Sequence, residues 1–77
     1  MDVEYLIRER VRNNLIELRV SHELSQQDVG DICGKSKNAV ASWEQGLSLP
    51  SIATLYRLAK YYGKTLDYMY GEEKNES

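Results

Sequence analysis

The sequence has few of the residues with which small proteins are stabilised by covalent bonds or metals. Its 77 residues include one cysteine, Cys33, and one histidine, His22, so an intrachain disulfide is excluded and the usual sets of zinc ligands cannot be assembled. One proline, five glycines and no low-complexity segment indicate a folded chain. Apolar runs are short, and the first ten residues carry acids that a signal peptide lacks. We expect one small cytoplasmic domain without metal or cofactor.

The sequence also lacks the patterns on which catalysis depends. It contains no phosphate-binding glycine loop, no paired catalytic carboxylates and no cofactor fingerprint. The only nucleophiles near a base are Cys33, Ser21 and Ser25 beside His22, and a helical domain of this size offers no deep pocket. We therefore expect that the chain is not an enzyme and that Cys33 is a small core residue.

Charge is distributed unevenly along the chain. The formal net charge is −2, which by itself argues against a nucleic-acid partner. Residues 34–60 nevertheless carry four basic side chains and one acidic side chain, whereas residues 1–33 sum to −3 and residues 61–77 to −2. A nucleic-acid surface is therefore to be sought in the middle third of the chain.

Apolar residues recur at spacings of three and four, which is typical of amphipathic helices. They are Ile7, Val11, Leu15 and Leu18, then Val29, Ile32 and Cys33, then Ile52, Leu55, Leu58, Ala59 and Tyr62. Caps and glycines limit the helices: Ser25, Ser36, Ser51 and Thr65 precede one, and Gly34, Gly46, Gly63 and Gly71 follow one. No stretch alternates apolar and polar residues, so no strand is predicted. We predict an all-α domain of five helices over residues 1–71, with the first ending near Ser21, and a solvated tail over residues 72–77.

The third predicted helix, about Lys37 to Gln45, has an unusual composition. On a helical wheel, an arc of about 140° without large apolar side chains holds Lys37, Asn38, Ala41, Ser42 and Gln45. Val40 and Trp43 lie on the other side as anchors. In the major groove of DNA, lysine can donate to guanine, asparagine can pair with adenine, and an alanine methyl can contact thymine. The pattern alone also fits an ordinary solvated helix face.

The preceding helix favours the DNA interpretation. A short helix, a tight turn of Gly34, Lys35 and Ser36, and a second helix form a helix-turn-helix arrangement. From Leu24 onward, LSQQDVGDICGKSKNAVASWEQGLSLPSIATLYRLAKYYGKTLDYMYG resembles the phage-repressor and Cro-like (XRE-type) helix-turn-helix domain. The resemblance covers about residues 7–71. It implies a compact five-helix bundle of the lambda-repressor-like type, with the helix-turn-helix at helices 2 and 3.

The resemblance implies roles for individual residues. The base-reading positions fall on Lys37, Asn38, Ser42 and Ala41, and the contacts with the DNA backbone on Gln26, Ser25, Lys35 and Ser36. Arg19 and Glu44 match a pair that links helix 1 to the recognition helix. This pairing also agrees with the cost of burying an unpaired carboxylate on the inner side of that helix.

The sequence departs from the family pattern in two places. Gly30 stands where the family has a small residue, usually alanine, that lets helices 2 and 3 approach, and glycine there weakens the helix by ~1 kcal/mol. The loop after Glu44 has Leu47, Ser48 and Leu49 where the family often has basic residues. Contacts with the DNA backbone from this loop would therefore come from main-chain amides or be missing.

The resemblance implies a transcription regulator, most simply a repressor, that binds double-stranded DNA. One such domain reads roughly four to six base pairs, so we expect a homodimer on a palindromic operator. The dimer surface is expected on helix 5, at Tyr68 and Tyr70, whereas Tyr62 and Tyr56 fit the core or its rim. A protein-interaction module or antitoxin is the alternative, with Leu47 and Leu49 as contact residues and weak or no DNA binding.

Overall fold

Five α-helices form the fold in the computed structural model of the chain, which describes residues 2–72. They are α1 (Val3–Ser21), α2 (Gln26–Cys33), α3 (Lys37–Glu44), α4 (Ile52–Tyr62) and α5 (Leu66–Met69). This part of the chain contains no strand, and none of its helices is long and apolar enough to cross a bilayer. The predicted all-α fold of five helices is confirmed. Of the predicted tail, only Glu72 lies within the described residues.

The predicted caps and stops determine where the helices begin and end. Ser25 caps α2 through a reciprocal pair of bonds: its hydroxyl accepts from the Asp28 amide at 3.0 Å, and the Asp28 carboxylate accepts from the Ser25 amide at 2.9 Å. Gly34 ends α2 with φ of 74°, a left-handed conformation that favours glycine. Ser36 then caps α3 by accepting from the Ala39 amide. The turn between the two helices is therefore short, and α3 lies directly against α2.

One core is shared by all five helices. Its buried apolar residues are Val11, Leu15, Leu18, Val29, Cys33, Val40, Trp43, Leu55, Leu58, Ala59, Tyr62 and Met69. Cys33 is thus a core residue, as predicted. α1 packs against α3 and α5, while α4 packs against α2 and α5. The helix-turn-helix formed by α2 and α3 is therefore packed on its inner side against α4 and α1, and its outer side faces solvent.

Two large apolar residues of α4 are exposed. Tyr56, which was expected in the core or at its rim, is 52% exposed, and Ile52, which belongs to the apolar repeat of this helix, is 67% exposed. The buried face of α4 is centred on Leu55, and Tyr56 lies about 100° away from it around the helix. The Lys60 ammonium sits 5.7 Å from the centre of the Tyr56 ring. The apolar face of α4 is therefore narrower than its sequence suggests.

Asn14 ties the first helix to the last. Its side chain is buried, and its amide nitrogen donates to the carbonyl oxygens of Tyr68 and Met69, both at 3.0 Å. The last carbonyl groups of a helix have no partner within that helix, so a buried amide here satisfies groups that would otherwise be costly. The sequence offered no signal for this role, because Asn14 follows Asn13 and reads as one of two solvated amides.

Gly30 is required by the path of the backbone after α2. A Cβ atom added at this position would lie 2.5 Å from the Lys35 carbonyl oxygen and 3.3 Å from the Ser36 carbonyl carbon. The Lys35 amide also donates to the Gly30 carbonyl oxygen at 2.8 Å, which holds the turn against this part of α2. In this chain an alanine, the residue usual in the family, would therefore collide with the main chain of the turn.

We expect Gly30→Ala to lower the free energy of unfolding by about 1 kcal/mol. The gain in helix propensity is about 1 kcal/mol, and a side chain forced into a filled space costs about 1–3 kcal/mol. Urea unfolding followed by circular dichroism measures the difference. A more stable variant would mean that the turn moves aside freely, and would contradict this account of Gly30.

Tyr62 is a buried tyrosine at the end of α4. The residue is 7% exposed, its ring packs against His22 at 4.8 Å between centroids, and its hydroxyl has no hydrogen-bond partner among the described residues. Burial raises the pKa of this phenol from 10.0 to about 12, because the charged phenolate would lose its hydration.

We expect this burial to make the fold sensitive to alkali. Above pH 10 the unfolded chain releases the Tyr62 proton while the folded chain keeps it, so stability is complete below pH 10 and falls as the pH rises towards 12. The loss should reach about 2–3 kcal/mol near pH 12. Tyr62→Phe should remove this loss in urea unfolding between pH 9 and 12, and the exposed Tyr56→Phe should not. An equal loss in wild type and Tyr62→Phe would contradict the assignment.

Candidate nucleic-acid interface

One side of α3 is buried and the other faces solvent, as its sequence predicts. Val40 and Trp43 are buried in the core and anchor the helix. Lys37 and Asn38 are exposed, and Ala41 and Ser42 are half-buried on the same outer side. The predicted base-reading residues are thus brought together on one surface, where small side chains separate the longer ones.

An ion pair fixes the inner side of α3 to α1. The Arg19 Nε atom donates to Glu44 Oε2 at 2.7 Å and Arg19 Nη2 donates to Glu44 Oε1 at 3.0 Å. Arg19 Nη1 also donates to the Leu24 carbonyl oxygen at 2.9 Å. Glu44 is only 9% exposed, and its hydrogen bonds raise the pKa of the Arg19 guanidinium above its ordinary value. The tilt of α3 is therefore held by a charged, two-bond contact with planar geometry.

Gln26 joins this network from the start of α2. Its side-chain nitrogen donates to Glu44 Oε1 at 3.1 Å, so the residue assigned to a DNA phosphate first contacts the protein itself. An amide nitrogen carries two hydrogens, and one of them is enough for Glu44. The second hydrogen is available for a phosphate, and the bond to Glu44 restricts where that hydrogen can point.

The other predicted backbone contacts surround the turn between α2 and α3. The hydroxyls of Ser25 and Ser36 accept capping bonds and each keeps one hydrogen to donate. Lys35 is exposed and lines a surface cleft together with Arg57 of α4. Sequence reasoning left Arg57 without a role. Its place in the positively charged segment was the only signal that could have identified it.

The loop after α3 folds back along that helix. Gly46 has φ of 76°, its amide donates to the Trp43 carbonyl oxygen, and the Leu47 amide donates to the Ser42 carbonyl oxygen at 3.0 Å. The reversal brings the Ser48 hydroxyl to 2.7 Å from the Ser42 hydroxyl. A residue assigned to base reading is therefore already hydrogen-bonded to this loop.

The two leucines of the loop differ in their exposure to solvent. Leu47 is 71% exposed, whereas Leu49 is half-buried and packs against the core. The protein-contact surface predicted from both leucines therefore reduces to Leu47. No basic side chain lies between Gln45 and Leu49, so a loop contact with DNA must use main-chain amides or hydroxyl groups.

The two tyrosines expected at a dimer surface lie at the end of α5 and directly after it. Tyr68 and Tyr70 are half-buried and pack against the core, and the Lys64 ammonium lies 4.5 Å from the centre of the Tyr68 ring. Tyr5, Tyr56 and Tyr61 are the exposed tyrosines within residues 2–72. The aromatic surface is therefore spread over α1 and α4 and is not concentrated on α5.

Comparison with known proteins agrees with this geometry. The HTH_3 helix-turn-helix model matches residues 15–69. The cryptic phage CTXphi transcriptional repressor RstR of Vibrio cholerae is 38% identical over 47 residues, 61% of this chain and 42% of that protein. The HTH-type transcriptional regulator AnsR of Bacillus subtilis is 34% identical over 64 residues, 83% of this chain and 55% of that protein.

A solved structure also resembles the fold. An HTH_3 family transcriptional regulator from Vibrio cholerae superposes with a TM-score of 0.77 and 27% identity, over 91% of this chain and 39% of that one. The chain thus spans about half or less of the length of these relatives. The predicted resemblance is confirmed, and it is a resemblance to transcription regulators and not to enzymes. The chain belongs to the HTH_3 helix-turn-helix family.

Proposed function

We propose that the chain is a sequence-specific regulator of transcription, most simply a repressor, that places α3 in the major groove of double-stranded DNA. The observation that carries the proposal is the two-sided character of α3: Val40 and Trp43 are buried, and Lys37 and Asn38 extend from the opposite side. Relatives named as a transcriptional repressor and a transcriptional regulator support the same function.

The exposed side chains of α3 suit the edges of base pairs. Lys37 donates to O6 and N7 of guanine, and Asn38 makes two bonds with adenine N6 and N7. Ala41 offers a methyl group to thymine, and its small size lets the helix approach the groove floor. Ser42 adds a hydroxyl on the next turn. Base reading is assigned to these four residues.

Contacts with the DNA backbone come from the rim of the same surface. Gln26, Ser25 and Ser36 offer hydrogen-bond donors, and Lys35 offers positive charge, to which the shared cleft adds Arg57. Because these cations are few, affinity should fall with salt with a slope that corresponds to roughly 4 to 8 phosphates per dimer.

A dimer is part of the proposal because one copy of α3 covers too few base pairs to specify a site. A symmetric pair of domains binds a palindrome whose half-sites are about one helical turn apart. Tyr68 on α5 and Tyr70, the residue that caps its end, remain the proposed dimer contact, with their half-buried rings as the edge of that surface.

Selection from random duplexes at near-physiological salt tests the proposal. We expect enrichment of a palindrome, and the spacing of its half-sites gives the separation of the two recognition helices. Lys37→Ala combined with Asn38→Ala should lose the enrichment while the variant keeps its helical circular dichroism. No enrichment even at low salt would contradict the proposal.

A protein-interaction module, such as an antitoxin, is the second candidate, and the exposure of Leu47 favours it. Under this alternative Leu47→Ala abolishes the binding of a protein partner and Lys37→Ala does not. Leu49 is not part of this surface, because it packs on the core.

A further inference from the structure

We infer that Ser48 determines how Ser42 reads DNA: it holds the Ser42 hydroxyl as a hydrogen-bond acceptor, so that the pair selects a base with an amino group, adenine or cytosine. The inference deepens the proposed function and rests on it. Ser48 lies outside the recognition helix, in the loop where the family often has basic residues, and the family resemblance gives it no part in base reading. The observation that carries the inference is the 2.7 Å contact between the two hydroxyl oxygens.

The main chain places Ser42 and Ser48 next to each other, so that their hydroxyl groups can meet. Gly46 reverses the chain at the end of α3, and the bond from the Leu47 amide to the Ser42 carbonyl oxygen at 3.0 Å fixes the first turn of the loop on the residue that Ser48 contacts. Leu49 then packs against the core. Ser48 is therefore held between two anchored residues and remains exposed.

The two hydroxyl groups have a limited number of hydrogens to donate to DNA. Each hydroxyl has one hydrogen to donate and two lone pairs to accept. One of the two hydrogens lies between the oxygens of Ser42 and Ser48, so a single hydrogen remains for DNA. Whichever serine keeps that hydrogen donates to DNA, and the other is restricted to accepting.

The DNA groups that face each serine determine which hydroxyl has its hydrogen free to donate to DNA. Ser42 lies on the outer side of α3, which faces the groove floor in the proposed complex, whereas Ser48 lies in the loop at the rim, where phosphates form the groove wall. Phosphate oxygens only accept, and no basic side chain between Gln45 and Leu49 competes for them. Ser48 therefore donates to a phosphate and accepts from Ser42.

A preference for one class of base follows. The Ser42 hydroxyl donates its one hydrogen to Ser48, so it can only accept a hydrogen bond from a base. In the major groove the amino groups of adenine N6 and cytosine N4 donate, whereas guanine O6 and thymine O4 accept. A serine without a partner can donate or accept and so discriminates poorly. Ser48 is thus a positioning residue that gives Ser42 its specificity.

The test uses the duplex selected by the wild-type protein and its variants with each base pair at each position. The base pair that Ser42 reads is the one at which the base preference of Ser42→Ala differs from that of the wild type. There the wild type should prefer adenine or cytosine by about 5- to 10-fold, the value of one hydrogen bond. Ser48→Ala should reduce this preference to within about twofold and leave the preferences at other positions unchanged.

A double-mutant cycle separates positioning from a general weakening of binding. Ser42→Ala with Ser48→Ala should show no further loss of preference beyond Ser42→Ala alone, since both remove the same reading event. Leu47→Ala is the matched control in the same loop, and it should keep the wild-type preference. Replacing the preferred adenine by purine, or the preferred cytosine by a pyrimidine without the 4-amino group, should remove the preference in the wild type only.

Three results would overturn the inference. They are a preference for guanine or thymine at the Ser42 position, an undiminished preference in Ser48→Ala, and an equal loss in Leu47→Ala. Failure of the wild-type protein to select any duplex is a different outcome. It overturns the proposed function, and the inference that rests on it.

Discussion

Arg19→Met is expected to lower the free energy of unfolding by about 3 kcal/mol. The substitution keeps an unbranched side chain in place of the aliphatic part of arginine but leaves the Glu44 carboxylate, which is almost fully buried, without its cation. It also removes the bond to the Leu24 carbonyl oxygen. The loss should appear as a lower urea midpoint with an unchanged slope, because the same surface is exposed on unfolding.

A second arginine of α1 provides the control. Arg12 pairs with Glu9 at the surface, where water screens the charges, so Arg12→Met should lower the urea midpoint much less than Arg19→Met. Adding Glu44→Gln to Arg19→Met should recover part of the loss, because the buried charge is then gone. Equal losses for Arg19→Met and Arg12→Met would show that the pair with Glu44 does not hold α3.

Lys37→Ala combined with Asn38→Ala is expected to weaken binding to the selected duplex by about 100- to 1000-fold. Each side chain that makes two bonds with a base contributes about 1–3 kcal/mol of discrimination. Because both side chains are exposed in the free protein, their removal should leave stability nearly unchanged. Fluorescence anisotropy with the selected and a scrambled duplex measures the two affinities.

The scrambled duplex distinguishes base reading from charge. Lys60→Ala removes one exposed charge from the C-terminal half of α4, and it should reduce both affinities by a similar, small factor. The double variant should instead bring the selected duplex close to the scrambled one. If both duplexes lost affinity equally in the double variant, α3 would contribute charge and no sequence information.

The limits of the helices were predictable because they depend on local chemistry. A serine hydroxyl that accepts from the third amide of a helix and a glycine in the left-handed region both act within a few residues. Ser25 and Gly34 therefore defined α2 from the sequence, and Ser36 defined the start of α3. The side of α3 without large apolar side chains was also predictable, because it follows from the period of the helix.

Features that depend on distant parts of the chain were not predictable. Ile52 and Tyr56 repeat at helical spacing, but no other helix within residues 2–72 covers them, so they remain exposed. Gln26 fits the family position for a phosphate contact, and only the fold shows that Glu44 holds it first. The contact of Ser42 with Ser48 requires a loop reversal that a helical wheel cannot represent.

The bonds from Asn14 to the end of α5 have a consequence for the order of folding. Asn14 and Met69 are 55 residues apart in the chain, so this contact closes a long loop, whereas Arg19 and Glu44 are separated by only 25 residues. Closing the shorter loop costs less conformational entropy, so the contact of α1 with α3 is easier to form than its contact with α5. Because all five helices share one core and a domain folds as a unit, a nascent chain that ends before residue 69 lacks both part of that core and the bonds from Asn14.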